Sequence, residues 1–142
     1  MYKSIASILL ILFAVSLTGC SASKESEDVA VQRSNLRSLA AAYGSYQKSN
    51  RGRIPKNEKT LRAWIEKNGG AGDYQAQNID EMFVSSRDDE PYVVVYGKPK
   101  KGTNVVAYEA VGVDGSRYIA DDLGNVEELD AATFGQRVPD AE

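Results

Sequence analysis

The apolar and polar positions of this chain change period several times, and each change marks an element. Residues 5–15 form a nearly unbroken apolar run, whereas residues 21–28 (Ser-Ala-Ser-Lys-Glu-Ser-Glu-Asp) are small and polar without a period and read as a solvated spacer. From Val29 the apolar positions recur at three- and four-residue steps through Leu36, Leu39, Ala40, Tyr43 and Tyr46, with Arg33, Ser34, Arg37 and Ser38 falling elsewhere. That stripe predicts an amphipathic helix of about five turns. Glu27 and Asp28 lie at its start and Lys48 and Arg51 at its end, as the helix dipole favours, and Gly52 and Pro55 stop it.

Asn57 is placed to cap a second helix over residues 57–67, whose Leu61, Trp64 and Ile65 share one face, with Gly69-Gly70 as its exit. Residues 71–78 read as a loop, and Ile79, Met82 and Phe83 suggest a single docked turn. Beyond them the period shifts to two. Residues 91–96 and 104–113 are rich in β-branched and aromatic side chains and predict a hairpin across the loop 97–102. Asp114-Gly115 turns the chain into a third strand over 116–120, residues 121–125 turn it again, and residues 126–129 supply a short edge strand. Asp130 can cap a last helical turn carrying Phe134. The expected fold is α+β: an N-terminal amphipathic helix and a shorter second helix packed on a three- to four-stranded antiparallel meander.

The apolar run at the start ends in Leu17-Thr18-Gly19-Cys20. With Lys3 ahead of it, the segment resembles a bacterial lipoprotein signal peptide closing in a lipobox. The resemblance implies cleavage between Gly19 and Cys20 and a diacylglyceryl thioether on Cys20, the chain's single cysteine. A run this short falls below the roughly 20 residues of a membrane span, so a lipid anchor is expected in place of a retained helix. The chain then divides into a signal peptide over 1–19, a flexible tether over 20–28, one domain over 29–135 and a loose tail over 136–142.

Charge and composition narrow the function classes. Without residues 1–19 the chain holds 16 basic and 20 acidic side chains, a formal charge of −4, which gives no overall footprint for nucleic acid. One cysteine forms no intramolecular disulfide, so an exported domain of this size must be held by its core. The absence of histidine removes the commonest general base and the commonest transition-metal ligand together.

Within the domain, a helix followed by Gly52-Arg53-Ile54-Pro55, and a late strand Tyr108-Glu109-Ala110-Val111 running into Gly112-Val113-Asp114-Gly115, stand in a recognisable order. That order resembles the globular heads of type II secretion pseudopilins and type IV pilin-like proteins. A lipobox stands where a pilin has its prepilin-peptidase site and long apolar helix, so the resemblance implies a pilin-like head on a lipid anchor and not a fibre subunit.

Two clusters offer chemistry. Arg87-Asp88-Asp89-Glu90 sets three carboxylates beside a guanidinium, and paired carboxylates perform acid–base work only where their surroundings separate their pKa values. Asp114, Asp121, Asp122 and Asn125 offer oxygens to a hard cation, a site the pseudopilin resemblance favours. The strand 116–120 holds its two ends more than about 15 Å apart, too far for one coordination shell, so no metal is expected. Ser85-Ser86 lacks a histidine partner, and the tyrosines fall on core stripes more than on a ligand platform.

The sequence thus predicts a non-enzymatic envelope lipoprotein, anchored through Cys20 and facing an extracytoplasmic compartment, that binds or scaffolds another protein in a secretion or pilus-like assembly. Ser21 after the cysteine favours the outer membrane if the cell has one. No cofactor and no nucleic acid are expected. The alternative is a small hydrolase or metal-dependent binder built on the acidic loops around Asp88 or Asp114.

Overall fold

The computed structural model describes residues 23–98 and 102–138, with side chains from residue 35 onward. Residues 1–19, expected as a signal peptide, and Cys20 lie outside the described residues. The element order is α1 (Ser23–Ser49), α2 (Glu58–Lys67), a 3-10 turn (Ala71–Tyr74), α3 (Ile79–Met82), β1 (Val93–Val94), β2 (Val105–Tyr108), β3 (Ser116–Asp121), β4 (Val126–Asp130) and α4 (Ala131–Arg137). The four strands form one antiparallel sheet in the order β1-β2-β3-β4, so the fold is α+β with a meander, as the change of period predicts.

Each short helix starts where a side chain satisfies a free backbone amide. Asn57 Oδ1 accepts from Thr60 N at 2.9 Å, Asn78 Oδ1 from Glu81 N at 2.9 Å, and Asp130 Oδ1 from Thr133 N at 2.8 Å. The end of α1 is a Schellman motif, in which Gly52 N donates to Gln47 O at 2.8 Å. The left-handed residue this requires is Arg51 (φ 59°), one position before the glycine that the sequence suggests as the stop.

Leu36, Leu39, Ala40 and Tyr43 on α1 are fully or almost fully buried and meet Ala107, Tyr118 and Ala120 of the sheet. Leu61, Ile65, Met82 and Phe83 extend this core sideways, with Tyr46 edge-on to Trp64 at 5.8 Å between ring centres. Tyr43 ties helix to sheet by a buried bond from its hydroxyl to Val95 O at 2.7 Å. Gly44 lets α1 approach closely, because a Cβ there would stand 2.2 Å from Asp122 O. The opposite face of the sheet has its own apolar cluster, Val105, Tyr108, Ile119 and Leu129, closed by Phe134 and Val138 of the C-terminal helix segment.

The strand expected over residues 104–113 pairs only over Val105–Tyr108 before the chain enters the turn to β3, and three further details differ from the sequence expectation. Residues 23–28, read as a spacer, are the first turns of α1: Lys24, Glu25 and Glu27 are good helix formers, but with no apolar stripe they leave no periodic signal. Residues 136 and 137, read as loose tail, continue α4, and Val138, which caps its end, is 2% exposed because it completes the second core. Ser38, off the apolar stripe, is buried and donates to Tyr74 O. Short hydroxyl side chains enter helix interfaces when a carbonyl is there to receive them.

Truncating a buried leucine costs about 2–5 kcal/mol, so Leu39→Ala should lower the thermal midpoint by many degrees, while Ser49→Ala at the exposed end of α1 should leave it unchanged. Thermal denaturation of the two variants measures this, and equal midpoints would mean that α1 does not pack on the sheet.

Candidate functional site

The densest set of ionisable side chains lies where the loop over residues 84–91 meets the turn between β2 and β3. The loop is closed at its base by an isolated bridge between Val84 and Pro91 and by Ser85 N donating to Glu90 O at 2.9 Å, and it is fastened to the β2–β3 turn through Arg87 and Asp88. Ser85, Arg87 and Asp88 thereby face the end of the β2–β3 hairpin. The hairpin opens at this point. Glu109 N donates to Tyr118 O at 2.9 Å, but Tyr118 N donates to the Glu109 side chain, reaching Oε2 at 2.8 Å. The carboxylate thus receives an amide that the widening ladder leaves unpaired.

Glu109 is fully enclosed. Its Oε1 accepts from Ser85 Oγ at 3.1 Å, and Arg87 Nη1 stands 3.6 Å from its Oε2. Burial pushes its pKa above the ordinary carboxylate range, with Asp88 adding to the rise, while Tyr118 N, Ser85 and Arg87 hold it back. Arg87 is the hub. Its Nη2 donates to Val113 O at 2.8 Å and to Ser116 Oγ at 2.5 Å, and its guanidinium lies 4.9 Å from the centre of the Tyr118 ring. Nη1 lies 3.0 Å from Glu128 Oε1, an ion-pair contact whose angles fall short of a hydrogen bond. Ser116 Oγ donates to the same Glu128 oxygen at 2.7 Å, and this bond, with Arg87, lowers the Glu128 pKa against a smaller opposing effect of desolvation. Tyr92, hydrogen-bonded to Ser85, has its hydroxyl pKa raised by burial and by the nearby Glu109.

A carboxylate with a raised pKa beside a serine is half of an acid–base arrangement. Reaction also needs access, and Ser85 and Glu109 are both fully enclosed in this structure. What the arrangement performs is fastening. Arg87 neutralises one buried acid and one half-exposed acid while holding a loop carbonyl, and Asp88 Oδ2 accepts from Gly112 N at 2.7 Å. Gly112 has φ 78°, and a Cβ there would stand 2.1 Å from Ser116 O, so the tight approach requires glycine.

The residues singled out from the sequence are thereby placed. Arg87-Asp88-Asp89-Glu90 splits: Arg87 and Asp88 turn inward, while Asp89 and Glu90 are exposed. Asp114 is exposed in the turn before β3, and Asp121 and Asp122 follow at the far end of that strand. Asp121 is committed to its own turn, its Oδ1 accepting from Leu123 N at 3.0 Å and Asn125 N at 2.9 Å and its Oδ2 from Asn125 Nδ2 at 2.8 Å. Desolvation raises its pKa, but these bonds outweigh it and the net direction is down. Among the described residues no group of three or more acidic side chains is arranged to hold a metal ion. Tyr43, Tyr92, Tyr108 and Tyr118 are all buried, packing as core with Tyr108 edge-on to Phe134 at 5.5 Å. Glu109 was not distinguished by the sequence, because one acid in an apolar strand has the spacing of an outward-facing residue.

The surface also has an open cleft of about 360 Å³ between α1 and the 3-10 turn, lined by Arg37, Ser38, Ala41, Asp73, Tyr74 and Gln75. A second hollow of about 210 Å³ lies at the end of α1 between Ser49, Asn50, Arg51 and Arg53. Comparison of the chain with protein-family models, with curated proteins and with solved structures finds no match.

Removing one partner of a buried ion pair costs about 3–5 kcal/mol because the other charge is stranded, so Arg87→Ala should unfold at much lower denaturant than the parent. Glu109→Gln should cost far less at neutral pH. The acid has a folded pKa above its unfolded value, so its folded state favours the protonated form. Its contribution is therefore fully present below the unfolded pKa of about 4.3 and is lost as pH rises through the raised value. Stability measured from pH 4 upward should fall less steeply in Glu109→Gln than in the parent, and parallel profiles would refute this assignment.

The acidic turns give a separate expectation. A melting curve recorded in millimolar calcium should overlay one in chelator. A rise of several degrees that Asp121→Asn abolishes would identify a calcium site there.

Proposed function

We propose that the protein is a membrane-anchored envelope lipoprotein that acts without catalysis, as a protein-binding or scaffold component. The observation that carries this reading is the commitment of the chemically promising side chains to the fold: Glu109, Arg87 and Ser85 are spent on closing a hairpin, and Asp88 and Asp121 on bracing turns. The lipobox-like Leu17-Thr18-Gly19-Cys20, outside the described residues, supports the anchor on Cys20 and an extracytoplasmic location, the outer membrane where one exists. No helix among the described residues is long and apolar enough to cross a membrane. The order of helix and meander, with its resemblance to pseudopilin heads, supports a place in a secretion or pilus-like assembly.

Intact-mass measurement of the membrane-extracted protein should show a chain beginning at residue 20 with acyl mass added. Cys20→Ala should release it from the membrane fraction, and a product that retains residues 1–19 would overturn the anchor. Cross-linking in intact cells should then yield a defined adduct with an envelope protein. Turnover of an envelope substrate that Asp88→Asn or Asp114→Asn abolishes would favour a hydrolase instead.

A further inference from the structure

The sequence from residue 29 to residue 57 contains six basic side chains and no acidic one, although the chain as a whole is acidic. The fold gathers the later part of that stretch at one corner. Lys48 is in the last turn of α1, and Arg51, Arg53 and Lys56 follow on the segment leading to α2. Gly97 N donates to Pro55 O at 2.9 Å, which brings the turn after β1, with Lys98, against the same segment. All five cations are exposed, and none is ion-paired among the described residues. The loop that carries Lys98 continues into Lys100 and Lys101, outside the described residues.

Two features separate this corner from an ordinary solvated surface. It carries a shallow open hollow of about 210 Å³ lined by Ser49, Asn50, Arg51 and Arg53, so that a small anionic group seated there lies against two arginines. In addition, Arg51 occupies the left-handed position of the Schellman motif, φ 59°, where glycine is the residue of least strain. The helix end explains the backbone conformation. It does not explain an arginine in it, and a cationic side chain at a position that glycine would take without strain motivates a functional hypothesis for that side chain, although Gln75, Asp89 and Asp114 hold the same conformation.

We propose that this basic corner is the docking surface for an acidic segment of a partner protein, its aspartate and glutamate carboxylates received by Arg51 and Arg53 and flanked by Lys48, Lys56 and Lys98. The proposal rests on the protein-binding reading above and names the chemistry of the partner. A protein segment is favoured over a bilayer for two reasons. The hollow suits a narrow ligand and not a plane, and the corner lies at the C-terminal end of a helix of about 40 Å, at the other end from the proposed lipid on Cys20. Arginine also matches carboxylate geometry with paired donors, which lysine-rich lipid-binding surfaces do not require.

Fluorescence anisotropy with labelled decaglutamate and the membrane-extracted full chain tests this directly. Binding should be present at low ionic strength, weaken towards about 0.15 M salt, and fall about tenfold or more in Arg51→Glu/Arg53→Glu with the melting midpoint retained. Arg51→Gly separates binding from folding, since it relieves the left-handed strain. It should melt no lower than the parent and bind decaglutamate more weakly. Unchanged binding in either variant, or no binding by the parent, overturns the acidic-segment assignment and leaves the cross-linked adduct untouched as the test of the broader reading. Sedimentation of the Cys20→Ala chain with vesicles of phosphatidylglycerol and phosphatidylcholine, lost in Arg51→Glu/Arg53→Glu and stronger than peptide binding, would assign the corner to a membrane and overturn the proposal as well.

Discussion

A sheet of four strands, none longer than six residues, has two apolar faces to cover, and the rest of this molecule follows from how they are covered. Neither face is large enough to be left to water, and no disulfide is available among the residues of a chain with one cysteine. One face receives the stripe Leu36, Leu39, Ala40 and Tyr43 of α1, with α2 and α3 filling the flank. The other receives Phe134 from a seven-residue helix that Asp130 starts, and Val138 from the residue that caps its end, with the Arg117 guanidinium 4.6 Å from the Phe134 ring centre. The sheet is thus the middle of three layers. The C-terminal helix is a structural layer in its own right.

Covering both faces makes the ends of the strands the difficult places. Where β2 and β3 diverge, Tyr118 N loses its ladder partner inside the protein, and an unsatisfied buried amide costs more than a hydrogen bond contributes. Glu109 supplies the acceptor and brings a charge with it. That charge requires Arg87, Arg87 is long enough to reach Glu128 and Val113 O as well, and the loop over 84–91 is thereby fixed across the hairpin. One backbone amide therefore accounts for a buried acid, its cation and the position of a loop. The same pair of residues in an open cleft would be read as acid–base machinery. Enclosure decides between the two roles.

Much of the fold was legible because its signals are local. The stripe from Leu36 to Tyr46 has helical spacing, Asn57 and Asp130 precede their helices by the distance a cap requires, and Asp114-Gly115 marks a turn that the backbone confirms with φ 51° and 77°. What escaped depends on partners distant in sequence. Glu109 is inward only because the strands part beside it, Ser38 only because Tyr74 O arrives from a separate turn, and Val138 only because the sheet leaves its second face open. The first turns of α1 escaped for the opposite reason, since a helix polar all round carries no stripe to read. The acidic turns were located correctly as turns. Their side chains divide into those that brace the backbone, as Asp88 and Asp121 do, and those that face water, as Asp89 and Asp114 do.

The distribution of charge follows from the same architecture. Acidic residues collect around the β2–β3 end of the sheet, where Asp88, Asp89, Glu90 and Asp114 lie in the two loops that meet there. The described lysine of the β1–β2 loop lies at the opposite end, beside the arginines that follow α1. At the acidic end the half-buried Asp88 has a partner in the fold: Gly112 N. At the basic end none does, and one of the cations holds a backbone conformation that glycine would adopt without strain. Charges that stabilise a fold are found with their counterions inside it, as Arg87 and Arg62 are, the latter bridging Glu58 at 2.6 Å and Asp80 at 2.7 Å. A group of exposed, unpaired cations around a hollow contributes nothing of that kind to the domain and repels itself, by an amount that salt reduces and an anionic partner removes. The asymmetry is therefore a property of the surface and not of the core, and it is local: Asp121 and Asp122 also lie at the end of the sheet where these cations gather, Asp121 bound into its own turn and Asp122 beside Lys48 and Gly52, while the exposed cations form no ion pair among the described residues.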